Sequence, residues 1–274
     1  RCRGPDAGVR GFAGGVRRLV GRLGGTGGSG IPGGSGDPNS GESTTSGPAY
    51  SVPGSVALVA FNEGAAQTGN ECAIDTSQLA QGVVGASARS DARLKFQVVK
   101  GEMSYNYDLP GDGTPIIVPI NMGDGPYTFR VMQNTSGNNY VELFSVIENV
   151  NLSSETAPFL VPNMFVNYNE SSAVVAKARE LAQGAANQGD VVRNIYQWVV
   201  DNITYDHDKA AKLASATGYV PDPDATLASG TGICFDYASL GAAMLRSLGI
   251  PCQVITGYVS PDDVYHAWNM VYID

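Results

Sequence analysis

The stretch GTGICFDYASLGAAMLRSLGIPCQVITGY, residues 230–258, carries the strongest structural signal in the chain. Its middle, from about Ile233 to Leu248, predicts a helix. Cys234, Ala238, Gly241 or Ala242, Leu245 and Leu248 recur there at helical spacing on one face. Gly249 ends the helix and Pro251 cannot continue it. The apolar run IPCQVITGYV that follows reads as a buried strand. Cys234 therefore falls in the first turn, just after a flexible SGTG. Backbone N–H groups at a helix start favour an anion, which lowers a thiol pKa, and can hold a developing oxyanion. This placement makes Cys234 a candidate nucleophile. Cys252, within the strand, reads as a small core residue.

A nucleophilic thiol needs a base, and the chain has two His. Beyond the first strand, the turn SPDD leads to VYHAWNMVYID, residues 264–274. On this second strand His266, Trp268, Met270 and Tyr272 share one face, and Ala267, Asn269, Val271 and Ile273 the other. A helix feeding two adjacent antiparallel strands can set the second strand beside the helix start. That would bring His266 to Cys234, although they are 32 positions apart in the chain. His207, in the acid-flanked turn YDHD, suits a solvated side chain instead. Asp236 sits two positions along the helix from Cys234 and points away from it, which suits a structural role.

Working upstream, Ser171 and Ser172 open a helical run SSAVVAKARELAQGAA, which Asn187–Gly189 breaks. Asp190 then caps DVVRNIYQWVVDNI, and a loop through PDPDATLASGTG connects to the Cys-bearing helix. From about Ser55 to Val161 the signals are those of strands. RLKFQVV, SYNYDL, PIIVPI, YTFRVM and YVELFSVI are punctuated by GDG at 111–113, GDG at 123–125 and SGNN at 136–139. Their spacing predicts an antiparallel sandwich or small barrel acting as a packing or spacer module. Asp108, Asp112 and Asp124 flank its turns but lack the D-x-[DN]-x-[DN]-G calcium pattern, so they read as solvated turn acids. Asn134, Asn151, Asn169 and Asn202 lie in glycosylation sequons, a pattern frequent by chance.

The first 48 residues hold 16 of the 35 Gly and six Arg, against Asp6, Asp37 and Glu42 as the acids. Such a segment reads as a disordered tail or linker. It holds no apolar core of a secretory signal. The formal charge of -9 therefore averages a basic tail with an acidic body, and an acidic body disfavours nucleic acid as a partner. No apolar run approaches the ~20 residues of a membrane helix. Cys2, Cys72, Cys234 and Cys252 show no C-x-x-C spacing, so neither a zinc cluster nor a disulfide scaffold is expected.

The combination C-x-D-Y-A, L-G-I-P and H-A-W-N resembles the core of the transglutaminase-like superfamily. VVRNIYQWVVDNITYD resembles the helix preceding that core in bacterial secreted members, and the match covers about residues 190–274. The resemblance implies an α+β chain: a papain-like core with a Cys-bearing helix on an antiparallel sheet, preceded by an all-β, sandwich-like module and a disordered tail. The boundaries expected are 1–50 for the tail, 51–165 for the β module and 166–274 for the core.

The family's Cys-His-Asp triad maps its Cys onto Cys234 and its His onto His266, while its Asp has no match. Asp274 stands where similar chains have a turn Asp. It lies eight residues along the same strand from His266, about 27 Å if extended. The core is thus expected to be incomplete at its C-terminus, and this chain alone to turn over little. Tyr205 is a candidate oxyanion donor, since a Tyr after the preceding helix recurs in similar sequences. The implied chemistry is acyl transfer or amide hydrolysis on protein or peptide substrates, with a Lys amine or water as acceptor and no cofactor or metal. A secreted or envelope location is implied as well. The alternative is a non-catalytic surface-binding or adhesion module that keeps the fold.

Overall fold

The structure is a computed structural model and describes residues 45–214, 216–260 and 264–273. The expectation of a tail falls mostly on residues 1–44, outside the described residues. Its last six residues do not follow that expectation. The Thr45 hydroxyl lies 2.6 Å from Asn187 Oδ1 and 2.8 Å from Asp190 Oδ1. The Tyr50 N–H donates to the Ala186 carbonyl at 3.0 Å, and its hydroxyl donates to the Leu248 carbonyl at 2.8 Å. Long-range partners decide this docking, and composition carries no information about them.

The β-rich region forms two four-stranded antiparallel sheets. The first joins β1 (Gln67–Gly69), β2 (Cys72–Asp75), β3 (Val83–Ala88) and β6 (Ile116–Pro119) in the order β1-β2-β3-β6. The second joins β4 (Leu94–Lys100), β5 (Met103–Leu109), β7 (Gly125–Ser136) and β8 (Asn139–Val150) in the order β5-β4-β7-β8. Ile74, Val84 and Ala86 from one sheet share a core with Phe96, Val98, Phe129 and Val131 from the other. That shared core makes the module a sandwich. The alternation read in YTFRVM holds: Tyr127, Phe129 and Val131 are buried while Thr128, Arg130 and Met132 are half-exposed.

The sequence reading found β4 to β8 and missed β1 to β3. β1 and β2 are only three and four residues long, and β3 passes from Val83 and Val84 into Gly85 and small residues, so the strand signal fades along it. The β1–β2 hairpin turns at Asn70 and Glu71, both at positive φ, without the Asn-Gly pair that marks such turns. Asp108, Asp112 and Asp124 are each used locally. Asp108 pairs with Lys95, Asp112 accepts from the Thr114 N–H, and Asp124 accepts from the Leu152 N–H.

The C-terminal part is helical with short strands: α1 (Ala173–Leu181), α2 (Gln188–Asn202), β9 (Thr204–Tyr205), α3 (His207–Leu213), α4 (Pro223–Ser229), β10 (Thr231–Gly232) and α5 (Cys234–Ser247). The antiparallel pair β11 (Cys252–Val259) and β12 (Val264–Val271) closes it. Val174, Val175 and Ala178 of α1, Val191 and Ile195 of α2 and Leu240, Ala243 and Met244 of α5 bury a second core, which Cys252 of β11 joins.

Two helices lie where the sequence reading placed a loop. α4 shows the signals plainly in hindsight: Asp222 caps it, Pro223 occupies its first turn, and Gly230 ends it at positive φ. α2 also starts earlier than expected. Asn187 is its cap and accepts from the Asp190 N–H, while Asp190 sits in the first turn. Among the described residues no helix is long and apolar enough to cross a membrane.

Candidate active site

Ile233, just before α5, is extended and supplies no capping side chain. Asp236 replaces that cap from inside the first turn: its Oδ2 accepts from the Ile233 N–H at 2.8 Å. The carboxylate is wholly buried, and two further donors complete it. Lys209 of α3 places its ammonium 2.7 Å from the same oxygen, and the Tyr219 hydroxyl donates to Oδ1. The Lys209 ammonium also lies 4.8 Å from the centre of the Tyr219 ring. Gly232 makes this approach feasible, since a Cβ there would stand 2.7 Å from the Asp236 Cβ. Asp236 is thus a structural carboxylate at the start of the Cys-bearing helix, as its spacing predicts.

The turn before Cys234 is fixed by the parallel pair β9–β10, which sets Gly232 opposite Tyr205. The Thr204 N–H donates to the Gly230 carbonyl at 2.8 Å and the Asp206 N–H to the Gly232 carbonyl at 2.9 Å. Tyr237 adds a third tie, donating to the Ile203 carbonyl at 2.7 Å; burial pushes its phenol pKa up. Tyr205 is in this way held near the thiol, although it is 29 positions upstream of Cys234.

β12 is positioned by two contacts. Its register with β11 sets His266 opposite Gly257, and the Trp268 ring packs against Gly257. Asn269 donates its side-chain amide to the Ala238 carbonyl of α5 at 2.8 Å. Gly241 accommodates that amide, its virtual Cβ lying 3.3 Å from Asn269 Oδ1. The result is a cavity of about 540 Å³ between α2, α5 and β12. Cys234, Tyr205 and His266 line it, together with Tyr196, Val199, Tyr237 and Trp268.

The structure therefore brings Cys234, His266 and Tyr205 to one cavity. His207 is exposed at the start of α3 and edge-on to the Tyr205 ring, outside that lining. Cys252 is fully buried, and burial pushes its thiol up to about 12, so it stays protonated at neutral pH. Asp274 lies outside the described residues. Among the described residues every ion pair joins a carboxylate to Lys or Arg, none to His266. Described residues also include no cluster of three or more His, Cys, Asp or Glu able to hold a metal.

Sequence reasoning passed over Lys209 and Tyr219, whose partner Asp236 is distant in sequence. It noted Asn269 only as a strand residue. The N in HAWN, on the face turned to the helix, was the available signal for it.

Residues 175–274 match the family described as the transglutaminase-like superfamily. The UPF0252 protein MJ1282 of Methanocaldococcus jannaschii is 27% identical over 56% of this chain and 42% of its own length. Cytokinesis protein 3 of Schizosaccharomyces pombe is 33% identical over 38% of this chain and 12% of its own. The chain thus spans less than half the length of these curated relatives. A solved structure described as a candidate cysteine protease from Cytophaga hutchinsonii aligns at TM-score 0.37 and 18% identity, covering 70% of this chain and 71% of that one. A second, a candidate protease from Parabacteroides distasonis, aligns at TM-score 0.27 and 16% identity, covering 68% and 35%. The helix that starts at Cys234, the strand pair it feeds and the helices packed on it are accordingly a domain of the transglutaminase-like superfamily, spanning residues 175–274.

Proposed function

We propose that this domain carries out cysteine-dependent acyl transfer or amide hydrolysis on protein or peptide substrates. The match of residues 175–274 to the transglutaminase-like superfamily supports a cysteine-dependent catalytic kind. The observation that carries the proposal here is the shared lining of one cavity by Cys234, at a helix start, and His266, on the strand tied to that helix. In the proposed reaction His266 takes the Cys234 proton, and the sulfur attacks the carbonyl carbon of a Gln carboxamide or peptide amide. A carbon–sulfur bond forms, and the oxyanion rests on backbone N–H groups at the helix start and on the Tyr205 hydroxyl. The carbon–nitrogen bond then breaks as His266 returns the proton to the leaving amine. A Lys amine or water attacks the thioester, releases the product and restores the thiol.

Acid-quenched mass spectrometry after mixing with an activated peptidyl ester tests the reading. The expected result is one acyl group on Cys234, lost in Cys234→Ala and formed much more slowly in His266→Ala. Acylation that does not depend on Cys234 would overturn it and favour a non-catalytic module with the same fold.

A further inference from the structure

The wholly buried carboxylate of Asp236 stands two residues from the thiol, in the first turn of the same helix. A bare negative charge there would use up the electrostatic benefit that a helix start offers a thiolate. Asp236 is not bare. Lys209 meets it at 2.7 Å from α3, Tyr219 donates to its other oxygen from the segment after α3, and the Ile233 N–H donates at 2.8 Å. Lys209 and Tyr219 reach it from elsewhere in the chain, and neither lines the cavity that holds Cys234. Tyr219 is suited to its place: burial first, then its hydrogen bond to Asp236 and the charges of Asp236 and Asp222, push its phenol far up, so it remains a donor.

We propose that Lys209 and Tyr219 are positioning residues for Cys234. They neutralise and fix Asp236, which leaves the start of α5 free to favour charge on the thiol. This goes beyond the proposed function, and for its catalytic meaning it rests on Cys234 being the nucleophile. The other titratable groups lining the thiol's cavity are Tyr196 from α2, Tyr205 from β9, Tyr237 from α5 and His266 from β12. Lys209 is thus the cation that compensates the carboxylate at this helix start.

The test is the pH profile of iodoacetamide alkylation at Cys234, read by peptide mass spectrometry, in variants shown folded by circular dichroism. Lys209→Met is expected to move the midpoint up by about one unit and to slow alkylation at pH 7 about tenfold. Lys209→Arg is expected to stay near wild type. The double variant Lys209→Met with Asp236→Asn removes cation and anion together and is expected to recover to within about threefold of wild type. Should Lys209→Met fail to fold, Tyr219→Phe keeps the ring, drops one donor and is expected to slow alkylation about threefold.

A folded Lys209→Met with the wild-type profile overturns the proposal, as does a double variant no faster than Lys209→Met. Failure of the nucleophile reading looks different. The wild-type profile would then be that of an ordinary thiol, and Lys209→Met would still raise it.

Discussion

Asn269 of β12 donates its side-chain amide to the Ala238 carbonyl of α5 at 2.8 Å, and so ties the strand carrying His266 to the helix carrying Cys234. Asn269→Ala removes the donor. The expected cost is about 1 kcal/mol in urea denaturation. Alkylation of Cys234 is expected to slow as well, because the strand that carries His266 is then less well held against the helix that carries Cys234. Unchanged stability and unchanged alkylation would show that packing alone sets the strand against the helix.

The buried and exposed ion pairs should differ sharply. Asp236→Ala leaves Lys209, Tyr219 and the Ile233 N–H without their acceptor, and a loss of about 3–5 kcal/mol is expected. Asp108→Ala, which removes the more exposed partner of Lys95, should cost under about 1 kcal/mol. Equal losses in chemical denaturation would contradict this contrast.

Alkaline pH should weaken the domain through Cys252. Its folded-state pKa, about 12, lies well above that of an ordinary thiol, mainly because burial disfavours the thiolate. The contribution of the protonated thiol is therefore complete below about pH 9 and is lost as pH rises toward 12. Between pH 8 and pH 10.5 the wild type is expected to lose more stability than Cys252→Ala. Parallel losses would assign the alkaline weakening elsewhere.

Gly82 tests the β module. It sits at φ +83, and a Cβ there would come within 2.6 Å of the Pro158 backbone. Gly82→Ala is expected to cost about 1–3 kcal/mol in thermal or urea unfolding. A neutral result would mean that the connector through Pro158 is not packed as described.

The core of this architecture was legible in the sequence, and particular residues show why. Cys234, Leu245, Gly249 and Pro251 write a helix with a clear end, and Cys252 to Tyr258 write a strand, so the Cys-bearing helix and its strand pair followed from local chemistry. Tyr205, Cys234 and His266 were legible as candidates, and the fold places all three on one cavity. What was not legible depends on partners remote in sequence. Lys209 reads as a surface cation until Asp236 meets it. Tyr50 and Thr45 read as tail until Leu248 and Asn187 accept them. β1 and β2 were missed because they are only three and four residues long, and β3 because Gly85 interrupts it after Val84, where the Phe61 ring lies over the backbone. α4 was missed for a different reason: its cap and stop signals were present but sat inside a stretch dominated by Pro, Asp and Gly.

Under the proposed function Cys234 is an activated thiol served by His266. The most direct measurement is the pH–rate profile of Cys234 alkylation in the wild type and in His266→Ala. The wild-type midpoint is expected to lie below the ordinary thiol value of about 8.5, with a fall of about tenfold or more at pH 7 in His266→Ala. A wild-type midpoint at or above about 8.5, unmoved by His266→Ala, would contradict it.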